Sequence, residues 1–124
     1  MADFDSATLA SGSSAGPATE ARSAGRTPLE IHPTFCPVDV ESPFDTTEWE
    51  LRTAAIKGED GKVLFEQPAC EIPAAWSQLA TNVVVSKYFY GEIHTSEREH
   101  SVKQLVHRVA RTIADWGVAD GYFK

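Results

Sequence analysis

Apolar positions along this chain change period from one segment to the next. Between residues 49 and 55, Trp49, Leu51, Thr53 and Ala55 alternate with Glu50, Arg52 and Ala54. A period of two predicts a strand with the first set on one face. The stretch "GEDG" follows, and its Asp60-Gly61 is a turn pair. "KVLFEQ" then offers a second strand with Val63 and Phe65 on one face. Together these read as a β-hairpin. Its four-residue turn fixes register less firmly than a two-residue one would.

The period then lengthens. Trp76, Leu79, Ala80, Val83 and Val84 recur at helical spacing. Pro73 suits a first helical turn, and Gly91 suits a stop. This predicts a helix over residues 74–89. The valines in "ATNVVVSKYFYGE" oppose it locally, because β-branched side chains are poor helix formers. That penalty is only tenths of a kcal/mol per residue. Burying a valine is worth roughly 1.5–3 kcal/mol, so packing favours the helix. A strand over residues 82–90 is the competing reading. A second helix is predicted over residues 97–116, where Val102, Leu105, Val106, Val109, Ile113 and Trp116 form one stripe. Ser96 and Glu99 have capping-box spacing, Lys103, Arg108 and Arg111 lie off the stripe, and Gly117 is a natural end.

The flanks are simpler. Pro33, Pro37 and Pro43 impose an irregular, extended path on residues 29–45, with Phe35 and Phe44 as expected anchors on a neighbouring surface. Residues 1–27 are Ala, Ser, Gly, Thr and Pro with scattered charge, too few large apolar groups to offset the entropy of ordering. The expected organisation is a disordered tail over 1–27 and one domain over 28–124. The fold class is α+β, a small, mostly helical unit with one β-hairpin. The tail has no apolar core of a secretory signal, and Asp3, Asp5 and Glu20 argue against a transit peptide. No window approaches the ~20 apolar residues of a membrane span. A cytoplasmic protein, with no membrane partner, is expected.

Charge narrows the partners. A net charge of −7 argues against nucleic acid. It leaves room for a small anionic ligand. Arg108 and Arg111 share a helix face and could hold a phosphate or carboxylate. Lys87 could join them or snorkel over apolar neighbours. These three are the candidate anion contact, and a solvated face is the simpler reading. His94, His100 and His107 are spaced by six and seven with no carboxylate completing a ligand set, so no metal is expected. Cys36 and Cys70 are not expected to pair in a cytosolic protein. Cys70 just before the predicted helix could have a lowered thiol pKa, although a small packing residue is the plainer role. No glycine-rich phosphate loop or GxSxG appears.

The order of phrases carries more than any one residue. "WSQLATNVVVSKYFYG" is followed by "REHSVKQLVHRVARTIADWG" and then by "GYF". Over residues 35–123 the chain resembles the N-terminal region of class II, adenosylcobalamin-dependent ribonucleotide reductases in their long bacterial form. The resemblance implies the N-terminal part of a larger α/β-barrel enzyme that converts ribonucleoside diphosphates to deoxyribonucleotides through a cysteine thiyl radical. It implies adenosylcobalamin for the whole enzyme and none bound by this segment alone. The family's catalytic cysteines lie in and around the barrel that follows "GYF", so no catalytic residue is assigned here, and Cys36 and Cys70 match none. The expected partner is the barrel domain, in cis or in trans, with self-association into a homodimer also open. A fragment or truncated product, inactive by itself, is expected. The alternatives are a free-standing interaction module with an aromatic patch, and a small nucleotide-binding regulator using Lys87, Arg108 and Arg111.

Overall fold

A computed structural model of the chain describes residues 27–123. The expected disordered tail lies, but for Thr27, outside the described residues. Strands β1 (Trp49–Lys57) and β2 (Val63–Pro73) form an antiparallel hairpin. Asp60-Gly61 makes the turn as read. Gly61 adopts φ +78°, and the Asp60 carboxylate accepts the Lys62 N–H at 3.0 Å. The register runs from Trp49 opposite Pro73 to Lys57 opposite Val63.

β2 extends six residues past "KVLFEQ", through "PACEIP". A bulge permits this. Arg52 pairs with Cys70 and Ala54 with Gln67, so Pro68 and Ala69 together oppose Thr53. The bulge accommodates Pro68, which has no N–H to donate, and leaves Ala69 at φ +54°. Cys70 therefore sits fully buried in a strand, not ahead of a helix.

The two alternating sets of β1 do not divide cleanly into an inner and an outer face, and Trp49 packs against the core. Ala54 is fully buried and Leu51 is largely exposed. Arg52 turns inward because backbone oxygens wait there. Its guanidinium donates to the carbonyls of Ala74, at 2.8 Å, and Trp76, and to Thr81 Oγ1 at 3.1 Å.

Helix α1 spans Gln78–Tyr88, so the helical reading holds over the strand alternative. It begins later than predicted, because Pro73 closes β2 and Ser77 is the N-cap, accepting the Ala80 N–H at 3.1 Å. The buried face is also rotated. Thr81, Val85 and Phe89 point inward, while Leu79 and Val83 are exposed. Polar demands choose this face. Asn82 Oδ1 accepts the Ala55 N–H at 3.1 Å, and Gln78 donates to the Thr53 carbonyl at 3.0 Å. These amides cover the open edge of β1, a row of groups that otherwise lacks partners.

Helix α2 spans Val102–Ala119. Its capping box is Ser101–Gln104, not Ser96–Glu99. Ser101 Oγ accepts the Lys103 N–H, and Gln104 Oε1 accepts the Ser101 N–H, each at 3.1 Å. The helix also continues through Gly117. The Phe123 ring lies on that glycine so closely that a Cβ there would sit 2.1 Å from it. Gly121, at φ +73°, returns the chain, and Leu29 forms a parallel bridge with Phe123.

The core is small: Ala54, Cys70, Ile72, Val85, Phe89 and Val102. Of the two expected anchors, Phe44 meets Trp49 edge-on at 5.9 Å, and the Trp49 indole donates to its carbonyl. Phe35 is 99% exposed and anchors nothing.

Candidate functional site

The densest polar arrangement lies where α1 ends, between β2 and the start of α2. Gly91, at φ +84°, turns the chain out of α1. A Cβ there would meet the Glu97 carbonyl oxygen at 2.5 Å, so only glycine fits this approach. The turn delivers Arg98 into the core. Arg98 donates to the carbonyls of Val85 (2.6 Å), Phe89 (2.7 Å) and Gly91 (2.9 Å), and to Gln67 Oε1 (2.8 Å). The first two are carbonyls left over at a helix C-terminus, where a cation is favoured. Its guanidinium also lies against the rings of Phe65 and Phe89, 5.9 and 5.7 Å from their centroids.

Glu99 extends the joint. Its carboxylate accepts the Tyr90 N–H at 2.8 Å and a two-pronged contact from Arg108, at 2.8 and 3.2 Å. Arg108 also donates to the Tyr88 carbonyl at 3.0 Å. Burial pushes the Glu99 carboxyl up. Hydrogen bonds from Arg108 and the Tyr90 backbone, with the charges of Arg108 and Arg98, outweigh it and hold the pKa below the ordinary value. Beside it, Lys103 donates to Glu71 at 2.6 Å, Ser101 Oγ donates to the same carboxylate, and Lys103 lies 4.6 Å from the Trp49 ring centre. The Lys103 and Ser101 hydrogen bonds hold Glu71 below its usual range.

The residues singled out from the sequence fall in different roles. Arg108 ties α2 to the end of α1 through Glu99 and Tyr88. Arg111 pairs with Asp115 one turn along the exposed side of α2, at 2.9 Å. Lys87 is exposed in the last turn of α1. Glu99, read from sequence as a cap charge, is the buried centre of an ion pair. Burial raises the Cys70 thiol pKa, so it stays protonated, and Cys36 is half-buried and free. His100 Nδ1 lies 3.4 Å from Gln67 Nε2, and His94 stands at φ +67°. Among the described residues no three His, Cys, Asp or Glu side chains converge as a metal site. Arg98 and Gln67 were not recognised from sequence. The only signal was an arginine in the short link after a glycine that ends a helix, a position where free carbonyls collect.

Every partner in this joint is engaged, and no buried side-chain polar atom among the described residues lacks one. The arrangement holds elements together. Residues 50–124 match the family described as class II vitamin B12-dependent ribonucleotide reductase. The chain belongs to that family.

The relatives agree on the name. A vitamin B12-dependent ribonucleotide reductase of Rhodopirellula baltica is 66% identical over 99 residues, 79% of this chain and 10% of that protein. One from Streptomyces coelicolor is 43% identical over 82 residues, 65% of this chain and 8% of that protein. One from Bradyrhizobium diazoefficiens is 39% identical over 49 residues. The chain thus spans about a tenth of the length of the first of these, matching the N-terminal region of the family. No solved structure matches it.

A B12-dependent family implies cobalamin, and the described residues can be tested for a fit. The joint opens on a cleft of about 150 Å³ beside Gln67, His94, Arg98 and His100. A neighbouring cleft at Phe65–Ile93 and one at Leu29–Phe123, by the other end of α2, measure about 540 and 310 Å³. Drug-sized ligands occupy roughly 300–1,000 Å³, and cobalamin is larger than such ligands. None of these clefts fits it. No described helix is long and apolar enough to cross a membrane.

Proposed function

We propose that this chain is the N-terminal portion of an adenosylcobalamin-dependent ribonucleoside-diphosphate reductase, acting in the cytoplasm. It supports a catalytic barrel domain and carries no chemistry alone. The observation that carries this reading is the 66% identity to the Rhodopirellula baltica reductase over 99 residues. The saturated joint around Arg98 supports the non-catalytic role, because each of its polar groups has an internal partner. The name shared by the relatives favours this over a free-standing interaction module. The barrel is the proposed partner, ribonucleoside diphosphates are the proposed substrates, and the segment binds no cobalamin alone.

The test is a graft. This chain replaces the matched segment of the Rhodopirellula baltica reductase, and reduction of nucleoside diphosphate is assayed with adenosylcobalamin. Activity within about tenfold of the parent, or 1.4 kcal/mol in barrier, is expected. A folded graft with no activity overturns the reading. Lys87, Arg108 and Arg111 remain a proposed anion contact, one that Arg108 and Arg111 join only by exchanging Glu99 and Asp115 for the ligand, with exposed Lys87 the most available. Calorimetric heat on titrating nucleoside diphosphate, lost in Lys87→Ala, would carry it; no heat removes it.

A further inference from the structure

The apolar stripe of α2 divides in two. Its first two members are covered within this chain: Val102 is 3% exposed in the core, and Leu105 packs against that core. The next four are not. Val106, Val109, Ile113 and Trp116 are 46%, 45%, 56% and 65% exposed. At 100° per residue these six side chains fall within an arc of about 100°, the width of a core-facing stripe. The uncovered part runs over 11 residues, about 16 Å at 1.5 Å per residue. Exposed Leu29, bridged to the half-buried Phe123 that folds onto Gly117, extends this apolar edge next to the end of the helix.

We infer that this stripe is the docking surface for the polypeptide that follows in the reductase, the part that makes up about nine tenths of the relatives. The inference rests on the proposed function above and names the surface through which it works. Three observations select that occupant. The stripe continues the chain's own core without a break, so the same face that packs inside β2 presents itself onward. The family match runs past the stripe to residue 124, and the Rhodopirellula baltica relative has only a tenth of its length matched here. The cations flanking the stripe are already neutralised, Arg108 by Glu99 and Arg111 by Asp115, and the chain carries −7 overall. A lipid surface or a polyanion would need free cations along the polar face. What remains is an apolar contact with a protein surface of the same enzyme.

The test uses the graft described above and the 124-residue chain by itself. Hydrogen exchange is followed for the amides of residues 106–116, with Val109→Asp/Ile113→Asp as the variant and exposed Leu79→Asp as control. In the graft these amides should exchange at least about tenfold more slowly than in the chain alone. The double variant should lose both that protection and reductase activity, and Leu79→Asp should keep both. Circular dichroism of the double variant in the 124-residue chain checks that the helix survives. If it does not, Ile113→Ser replaces it, with the same loss expected. An active graft whose double variant is equally active and equally protected overturns the docking surface and leaves the reductase reading standing. An inactive graft sinks the reductase reading itself. Protection in the chain alone that rises with its concentration and matches the graft assigns the stripe to a second copy and overturns the inference.

Discussion

Arg98 links three segments: the end of α1, the turn at Gly91 and strand β2. Replacing it by Met removes the donors of three carbonyls and of Gln67, in a place that water does not reach easily. An unsatisfied buried group costs 1–3 kcal/mol, so Arg98→Met should lose about 3 kcal/mol of stability in urea denaturation. A loss below about 0.5 kcal/mol, the size of an ordinary surface change, would show the joint to be dispensable. The carboxylates of Glu99 and Glu71 give a pH signature. Both have pKa values lowered on folding. Their contribution is complete above the unfolded carboxylate pKa and is lost as pH falls through the lower folded value. Stability should therefore decline on acidification through and below the ordinary Glu range. Glu99→Gln should flatten that decline while lowering stability at neutral pH; an unchanged acid limb counts against the pairing. None of this was legible from spacing. Arg98 has mostly backbone carbonyls as partners, and those leave no mark on the side-chain pattern.

Elements were legible by type, as was the stripe of α2, whereas element edges and the inward faces of β1 and α1 were not. Period two found the hairpin, and period 3.6 found both helices. The inward face of α1 was misread, and that of β1 was not legible, for one reason: both are set by hydrogen-bond demand. Arg52 turns in toward carbonyls, and Gln78 and Asn82 cover the β1 edge, so two apolar positions, Leu51 and Leu79, face out. The start of α2 was misread because two serines precede it, and Glu99 is taken by Arg108. This gives a paired prediction. Ser101→Ala should cost about 1 kcal/mol, as lost N-caps do. In a domain of this size that is roughly 4–8 °C in Tm. Ser96→Ala should stay within about 0.5 kcal/mol. Equal effects would undo the assignment of the cap.

At the scale of the whole molecule, six of the described residues form the buried apolar core, while four consecutive members of the α2 stripe lie open. Such a chain should be marginal by itself and prone to self-association. Sedimentation should show concentration-dependent association and calorimetry a broad transition; a sharp monomeric melt above ~60 °C would contradict this. Family membership was readable from the order of phrases, because order over some ninety residues is far more specific than any motif within it. The docking face was readable only in half, since sequence shows that α2 is amphipathic and not how much of its stripe the chain itself covers. The central claim is that this segment supports a B12-dependent reductase through packing. It is tested most directly by deleting the matched segment from the Rhodopirellula baltica reductase and assaying nucleoside-diphosphate reduction with adenosylcobalamin. A loss of at least about tenfold in kcat/KM is predicted, recovered when this chain is grafted in its place. A folded deletion enzyme as active as the intact one would contradict the account.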